Sequence, residues 1–131
     1  MIRVEVHRRA GRVTGFRVRG HAGLAPRGHD IVCAAVSALT QATVAGLEEH
    51  LGLRPTVRIE AGRLDCQLAP GEEEDPRAQA ILATMVLGLQ GVAAGQPGRL
   101  QISEIDFEPE SGQGSGHGSQ PGSHGRFRVR W

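Results

Sequence analysis

Residues 30–52 read DIVCAAVSALTQATVAGLEEHLG, and this stretch decides the fold class. Its apolar residues return every three or four positions and make one stripe, which is typical of a helix with a single buried face. Asp30 is a favourable N-cap residue, and Gly52 is a favourable C-terminal stop. We therefore predict a long amphipathic helix between them, with a buried stripe formed by Val32, Val36, Leu39, Thr43, Leu47 and Leu51.

The residues on either side of this helix alternate between apolar and charged side chains. Residues 2–19 and residues 57–68 both show this alternation, and each run is interrupted by a turn-forming pair, Ala10-Gly11 or Ala61-Gly62. A period of two is typical of strands that bury one face, and a glycine-containing pair between two such runs indicates a hairpin. We predict one β-hairpin before the helix and one after it.

A second helix and one more strand complete the predicted order. Asp75 is a predicted N-cap before Pro76, and apolar residues then recur with helical spacing as far as Val92. Residues 100–107 suggest a last strand, whose register Ile105 leaves open. The order ββαββαβ predicts an α+β fold with two main helices. They cover one or both faces of an antiparallel or mixed sheet built from two hairpin-helix units.

The composition predicts one folded domain with a polar extension. A chain of 131 residues with 39% hydrophobic residues can close one modest core. We place that domain at residues 1–108, and a flexible linker rich in glycine and serine at residues 109–125. Residues 126–131 alternate again, so they form an edge strand, a strand that pairs with another chain, or a disordered tail.

The charge balance argues against a protein built to bind nucleic acid. Fifteen basic and fourteen acidic residues leave a formal net charge of +1, which creates no strong field around the chain. We expect no membrane helix and no signal peptide, and therefore a soluble, cytoplasmic protein. Two cysteines are too few for a disulfide framework, so we expect both to be thiols.

One of these cysteines carries the chemistry that we predict. Cys33 follows the predicted N-cap by three residues, in a first helical turn whose unpaired N–H groups and dipole favour a thiolate. His21 lies twelve residues earlier, at the end of the second predicted strand, and the loop between them is long enough to bring its imidazole to the sulfur. Together they make the minimal apparatus for nucleophilic attack on a carbonyl. On spacing alone, the alternative that Cys33 is a small buried residue of the helix is favoured.

The local sequence around these two residues resembles a known family. Residues 20–23, GHAG, and residues 28–39, GHDIVCAAVSAL, are similar to the ribosomal-processing cysteine protease family. The resemblance implies a homodimeric cysteine peptidase that removes a short N-terminal extension from ribosomal protein twenty-seven of the large subunit. It also implies that Cys33 is the nucleophile and that His21 is the general base and acid.

The resemblance extends to a loop and to two polar residues. The family's glycine-rich loop, which is thought to move when substrate binds, falls on Gly20, Gly23 and Gly28. Asp30 most simply caps the helix, and orientation of the catalytic histidine is an alternative role. Ser37 lies one turn beyond the cysteine, where it either bonds back to a helix carbonyl or contacts substrate.

The remaining candidates have simpler interpretations. Cys66 shares the phase of the neighbouring leucines, so we predict a core residue, and we expect His7 to be solvated. A zinc site near Cys33 would lack paired cysteines, so we expect neither a metal nor a cofactor. The N–H groups of residues 31–33 are the candidates for an oxyanion hole.

A function from another class is the alternative. The same α+β fold would also suit a non-enzymatic, ribosome-associated or RNA-binding module, because folds do not dictate function and several arginines are predicted to be exposed.

Overall fold

The computed structural model describes residues 1–20 and 29–107. The predictions for the linker at residues 109–125 and for residues 126–131 lie outside the described residues, as do those for His21, Gly23 and Gly28. The described part contains the predicted order of elements, joined by a short π-helical turn, Gly46–His50, and a 3-10 turn, Glu72–Glu74. The strands and helices are β1 (Ile2–Arg9), β2 (Arg12–Arg19), α1 (His29–Ala45), β3 (Thr56–Glu60), β4 (Arg63–Gln67), α2 (Pro76–Gly95) and β5 (Leu100–Asp106).

The five strands form one mixed sheet in the order β3-β4-β2-β1-β5. β5 runs parallel to β1, with Ile2 beside Leu100 and Arg8 beside Asp106, and the other three pairs are antiparallel. The structure thus confirms the α+β class and selects the mixed sheet. It also gives the register of the last strand, which the sequence left open.

The topology places both helices on the same face of this sheet. α1 connects β2 to β3 and α2 connects β4 to β5, and each of these strand pairs is parallel. Crossovers between parallel strands are right-handed almost without exception. The first crossover leaves β2 toward β3, and the second leaves β4, which is antiparallel to β2, toward β5 in the opposite direction across the sheet. Reversal of both the strand direction and the direction of movement is a rotation within the plane of the sheet. Two crossovers of the same hand therefore lie on the same face. They also make the two helices antiparallel, with Leu39 packed beside Gly88 and Ile81 beside Gly46.

One continuous core lies between this face and the helices. Alternate residues of the strands are buried there, which confirms the predicted period of two. Removal of so much apolar surface from water is the main favourable term for folding. The core includes Ile2, Val4, Val6, Phe16, Val18, Leu64, Cys66 and Leu100 from the sheet, and Val32, Val36, Leu47, Leu82, Met85 and Leu89 from the helices.

The start of α1 differs from the prediction, whereas its end agrees. The helix begins at His29, so Asp30 is its second residue and not its N-cap. At the other end the helical backbone continues through Gly46–His50, and Gly52 then adopts a left-handed conformation with φ of 71°. The N–H of Gly52 donates to the carbonyl of Glu48 at 3.1 Å, which ends the helix as predicted.

α2 begins as the sequence predicts. Asp75 is its N-cap, because one carboxylate oxygen accepts a hydrogen bond from the backbone N–H of Arg77 at 2.8 Å. The guanidinium of Arg77 and this N–H lower the pKa of Asp75 to about 2. Gln79 then bonds both backbone groups of Val13, at 2.9 Å each, and so fixes the first turn of α2 to the start of β2.

Two helical segments bear on the expectation that the chain has no membrane helix. Residues Ile31–His50 and Pro76–Gly95 are each long and apolar enough to cross a membrane by length and composition alone. Core helices of soluble proteins pass the same test, and both segments contribute buried residues to the core beneath the sheet.

Gly20 closes one end of the sheet. Its φ is 89°, and its N–H donates to the carbonyl of Gly62 at 3.2 Å. A Cβ at this position would meet the carbonyl oxygen of Met1 at 2.6 Å, which is a backbone atom that cannot turn aside. The end of β2 therefore requires glycine for two reasons, backbone conformation and close approach.

We expect Gly20→Ala to lower the free energy of unfolding more than Gly98→Ala does. Gly98 has a similar φ of 82° but open space around it, so its replacement costs only left-handed strain, about 1–2 kcal/mol. Gly20→Ala adds the clash with Met1, about 1–3 kcal/mol more. Urea unfolding of both variants measures the difference. Equal losses would show that the contact with Met1 is unimportant.

Candidate active site

Cys33 and Gly20 lie at the same end of the sheet. β2 ends beside Gly20, and α1 must then carry the chain back to the start of β3. β2 and β3 are both antiparallel to β4 and therefore run in the same direction, so the start of β3 is at the far end of β2. The first residues of α1, including Cys33, consequently lie near the end of β2 that leads to His21.

Cys33 occupies a different helical position from the predicted one. It is the fifth residue of α1, at the start of the second turn. The N–H groups without intrahelical partners belong to the first residues of a helix, so of the predicted oxyanion donors at residues 31–33 only Ile31 remains a candidate. A helical side chain points back toward the N-terminus. The sulfur of Cys33 therefore still lies over the first turn, near the positive end of the helix dipole.

The surroundings of Cys33 combine support with access. Its side chain is half-buried and packs against the core. Val32, next to it, is fully buried, whereas Ile31 is 68% exposed and Ala34 is exposed. Ser37, one turn further on the same side, is half-buried. A thiol in this position is held by the core on one side and open to a ligand on the other.

Cys66 has the opposite environment. It lies in β4 between Phe16 and Val57 on neighbouring strands and is 1% exposed. Burial, with smaller contributions from the charges of Glu48 and Glu72, raises the pKa of the Cys66 thiol to about 12. The prediction that Cys66 is a core residue is confirmed. A buried thiol that stays protonated is not a nucleophile.

His7 is not solvated, contrary to the prediction. It is 7% exposed on the sheet face opposite the helices, where Nε2 lies 3.2 Å from a carboxylate oxygen of Glu5 and Nδ1 lies 3.1 Å from the amide nitrogen of Gln67. The amide donates to Nδ1, so Nε2 carries the proton that Glu5 accepts. His7 is roughly 17 Å along β1 from Ile2, too far to act on Cys33. The alternating pattern could not reveal that neighbouring side chains would cover this residue.

The other predicted site residues lie in the first turn of α1 or in the segment before it. The backbone of Asp30 lies in the first turn of α1, while Gly23, Gly28 and the imidazole of His21 lie outside the described residues. No group of three or more histidine, cysteine, aspartate or glutamate side chains in the described part of the chain is arranged to hold a metal ion.

An α+β fold that holds an accessible cysteine at the margin of its core suits the class of cysteine peptidases. The family model described as "Cysteine protease Prp" matches residues 1–101. The chain therefore belongs to the Prp family of cysteine proteases, which act on peptide bonds. This assignment replaces the non-enzymatic alternative.

The chain is similar to a curated protein of Staphylococcus aureus and to a solved structure from Streptococcus mutans. The chain is 32% identical over 82 residues to "Ribosomal processing cysteine protease Prp" of Staphylococcus aureus strain NCTC 8325 / PS 47. The aligned region covers 63% of this chain and 77% of the relative. The crystal structure of SMU.848 from Streptococcus mutans matches with a TM-score of 0.76 at 26% identity, covering 82% of this chain and 99% of that chain.

Two structures of the S. aureus protease contain peptides. The first, described as "in complex with a Substrate Peptide", matches with a TM-score of 0.74 at 27% identity over 79% of this chain and 99% of that chain. The second contains "a covalently linked product Peptide" and matches with a TM-score of 0.71 at 28% identity over the same shares.

We expect iodoacetamide to modify Cys33 and not Cys66 in the folded protein. At pH 7 the exposed side of Cys33 admits the reagent, whereas burial keeps Cys66 protonated and covered, so labelling should differ by at least about tenfold. Peptide mapping by mass spectrometry measures both sites. In urea both cysteines should react. Equal labelling of the two cysteines in the native protein would contradict the contrast between their environments.

Proposed function

We propose that this protein removes the N-terminal extension from the precursor of large-subunit ribosomal protein twenty-seven, with Cys33 as nucleophile and His21 as general base and acid. The observation that carries the proposal is the half-buried, accessible Cys33 at the end of the sheet where β2 reaches Gly20. His21 is the next residue after Gly20 in the chain. The substrate follows from the family resemblance and from the ribosomal processing named for the relatives.

The reaction proceeds in two steps. The imidazole of His21 takes the proton of the Cys33 thiol, and the thiolate attacks the scissile carbonyl carbon. The carbonyl oxygen becomes an oxyanion that backbone N–H groups at the start of α1, such as that of Ile31, stabilise. The C–N bond then breaks, and the imidazole of His21 protonates the leaving amine. Water, deprotonated by His21, attacks the thioester carbonyl and releases the new carboxylate with the free thiol.

The covalently linked product peptide of the S. aureus relative fits such a mechanism, because attack by a nucleophilic residue forms a covalent enzyme intermediate. The exposed flank of α1 supplies a matching surface here. Ala34 and Ala38 are exposed and small, so an extended peptide backbone can approach this side of the helix closely.

Three further features belong to the proposal. Gly20, Gly23 and Gly28 fall on the glycine-rich loop that, by the family resemblance, moves when substrate binds, with Gly20 as its fixed end. Asp30 orients His21 or stabilises the start of the helix by its charge near the positive dipole end. The protein acts in the cytoplasm, where the precursor is made, and it acts as a homodimer.

Cleavage of a synthetic peptide that spans the precursor's extension tests the proposal. We expect Cys33→Ser to reduce kcat by on the order of 10³-fold or more, and His21→Ala by on the order of 10²-fold or more. Cys66→Ala and His29→Ala are the matched controls, because they remove the same side chains at positions without a role in the chemistry. Mass spectrometry locates the cleaved bond.

Two outcomes would contradict this assignment. Full activity of Cys33→Ser would exclude it as the nucleophile, and loss of activity in His29→Ala with retention in His21→Ala would exchange the two histidines. Cleavage of other peptides but not of the extension would leave the mechanism intact and exclude the proposed substrate.

Sedimentation equilibrium tests the homodimer. We expect a molar mass of twice the 13.9 kDa of the chain at micromolar concentration. A monomer that cleaves the peptide at full rate would contradict the dimer but not the chemistry.

A further inference from the structure

The sheet face opposite the helices carries a row of three arginines. The register places Arg3 of β1 beside Arg19 of β2, and Arg19 beside Arg63 of β4. Neighbouring strands lie about 4.8 Å apart, so the three Cα atoms span about 10 Å. Like charges directly opposite each other on one face of a sheet are destabilising. An arrangement of this kind is therefore unfavourable for the isolated chain.

The described acidic residues of this face pair with only one arginine of the row, Arg63. Arg17 hydrogen-bonds Asp65 and lies 3.8 Å from Glu5, and Nε of Arg63 donates to Asp65 at 3.0 Å. Burial tends to raise the pKa of Asp65, but the hydrogen bonds from the two arginines outweigh it and hold this pKa below its usual value. Asp65 thus stays ionised and engaged with Arg17 and Arg63.

Two arginines of the row are left without such a partner. Arg3 and Arg19 are exposed, and neither forms an ion pair with any side chain that the structure describes. Among the other exposed arginines of the described residues, Arg58 pairs with Glu60 and Arg77 with Asp75, whereas Arg9, Arg12 and Arg54 form no ion pair. What distinguishes Arg3 and Arg19 is that Arg63 extends their pair to a row of three.

The row lies at the end of the sheet that also leads to the active site. Arg19 directly precedes Gly20, and the N–H of Ile2 donates to the carbonyl of Arg99, which brings another arginine and the amino terminus to this end. Cys33 lies on the helix side of the sheet, whereas the row faces the other way. A ligand on the row would leave the surface around Cys33 free.

The chemistry of this end favours a phosphate backbone over a protein partner. The exposed neighbours of the row are polar, namely Gln101 and Ser103 on one side and Glu60 on the other. Stable protein interfaces are centred on clusters of apolar or aromatic residues. Among the described residues, this end of the face offers the exposed side chain of Met1, beside Gly20, and no such cluster. Phosphates need only charged donors, and a guanidinium can bind a phosphate with two parallel hydrogen bonds.

We propose that the row of Arg3, Arg19 and Arg63 binds the phosphate backbone of RNA without reading its sequence. This inference goes beyond the proposed protease function. Only the choice of RNA over DNA rests on that function, because the proposed substrate is a ribosomal protein precursor, which assembles on RNA. The formal net charge of +1 conceals the site, since the arginines are concentrated by strand register and not by composition.

Fluorescence anisotropy with the full-length chain and a labelled single-stranded RNA of about 20 nucleotides tests the proposal. We expect the double variant Arg3→Gln/Arg19→Gln, which lacks two positive charges, to bind about tenfold more weakly at low salt. The slope of log K against log salt should fall by about 1.4, because each lost phosphate contact removes about 0.7 for a single strand.

The double variant Arg9→Gln/Arg12→Gln is the matched control. These two arginines are also exposed and also face each other across β1 and β2, but they lie at the opposite end of the hairpin. The variants have equal net charge and the same C-terminal segment, so only the position of the lost charges differs. We expect the control to retain the wild-type salt slope.

Three outcomes would overturn the proposal. The first is no RNA binding by the wild type, and the second is an equal loss of affinity in both double variants. The third is that the wild type binds poly-glutamate and not RNA. NMR of the wild type serves where a variant fails to fold. RNA should then shift the Arg3 and Arg19 Nε–H signals and not those of Arg9 and Arg12. Peptide cleavage is measured separately, so failure here leaves the protease function untouched.

Discussion

The burial of both helices against one face of a mixed sheet is the constraint on which the rest of the structure depends. The two right-handed crossovers start from antiparallel strands and run in opposite directions across the sheet, so both helices must lie on the same face. The sheet therefore has one apolar face and one polar face. The same geometry makes α1 antiparallel to β2, and so it returns Cys33 to the end of the sheet that β2 has just left at Gly20.

The two cysteines show how strongly position within this arrangement controls the chemistry of one side chain. Cys66 lies in the middle of the sheet beneath the helices, and burial raises its thiol pKa to about 12. Cys33 lies at the margin of the same core, with its backbone held by α1 and one side open to solvent. The core thus supports the thiol of Cys33 without covering it, and helical geometry directs its sulfur toward the positive end of the dipole.

The polar face of the sheet is ordered as closely as the apolar one. Arg17, Asp65 and Arg63 form a connected set of charges, and His7 is enclosed by Glu5 and Gln67. Because this set uses the acidic residues of the central strands, Arg3 and Arg19, at the end of the sheet near Cys33, are left exposed. Charge that is balanced over the whole chain is consequently unbalanced at one end of the sheet.

Local patterns were sufficient to predict the elements of this protein. Apolar period, caps and turn pairs depend only on neighbours in the chain, and they placed the hairpins, both helices, the N-cap at Asp75 and the stop at Gly52 correctly. The sequence text around Cys33 was also sufficient for the family, which residues 1–101 match. The prediction was wrong at the start of α1, which begins at His29 and so includes Asp30, and at His7, which neighbouring side chains cover.

What the sequence by itself determined was therefore the list of elements, the α+β class and the candidate nucleophile, because each follows from interactions between residues close in the chain. Only the tertiary structure decided the parallel addition of β5, the single face that both helices share and the burial of His7. It alone decided which arginines stand side by side. These features depend on pairing between strands that are distant in sequence, and a period of two specifies which face a residue occupies but not which residue lies beside it.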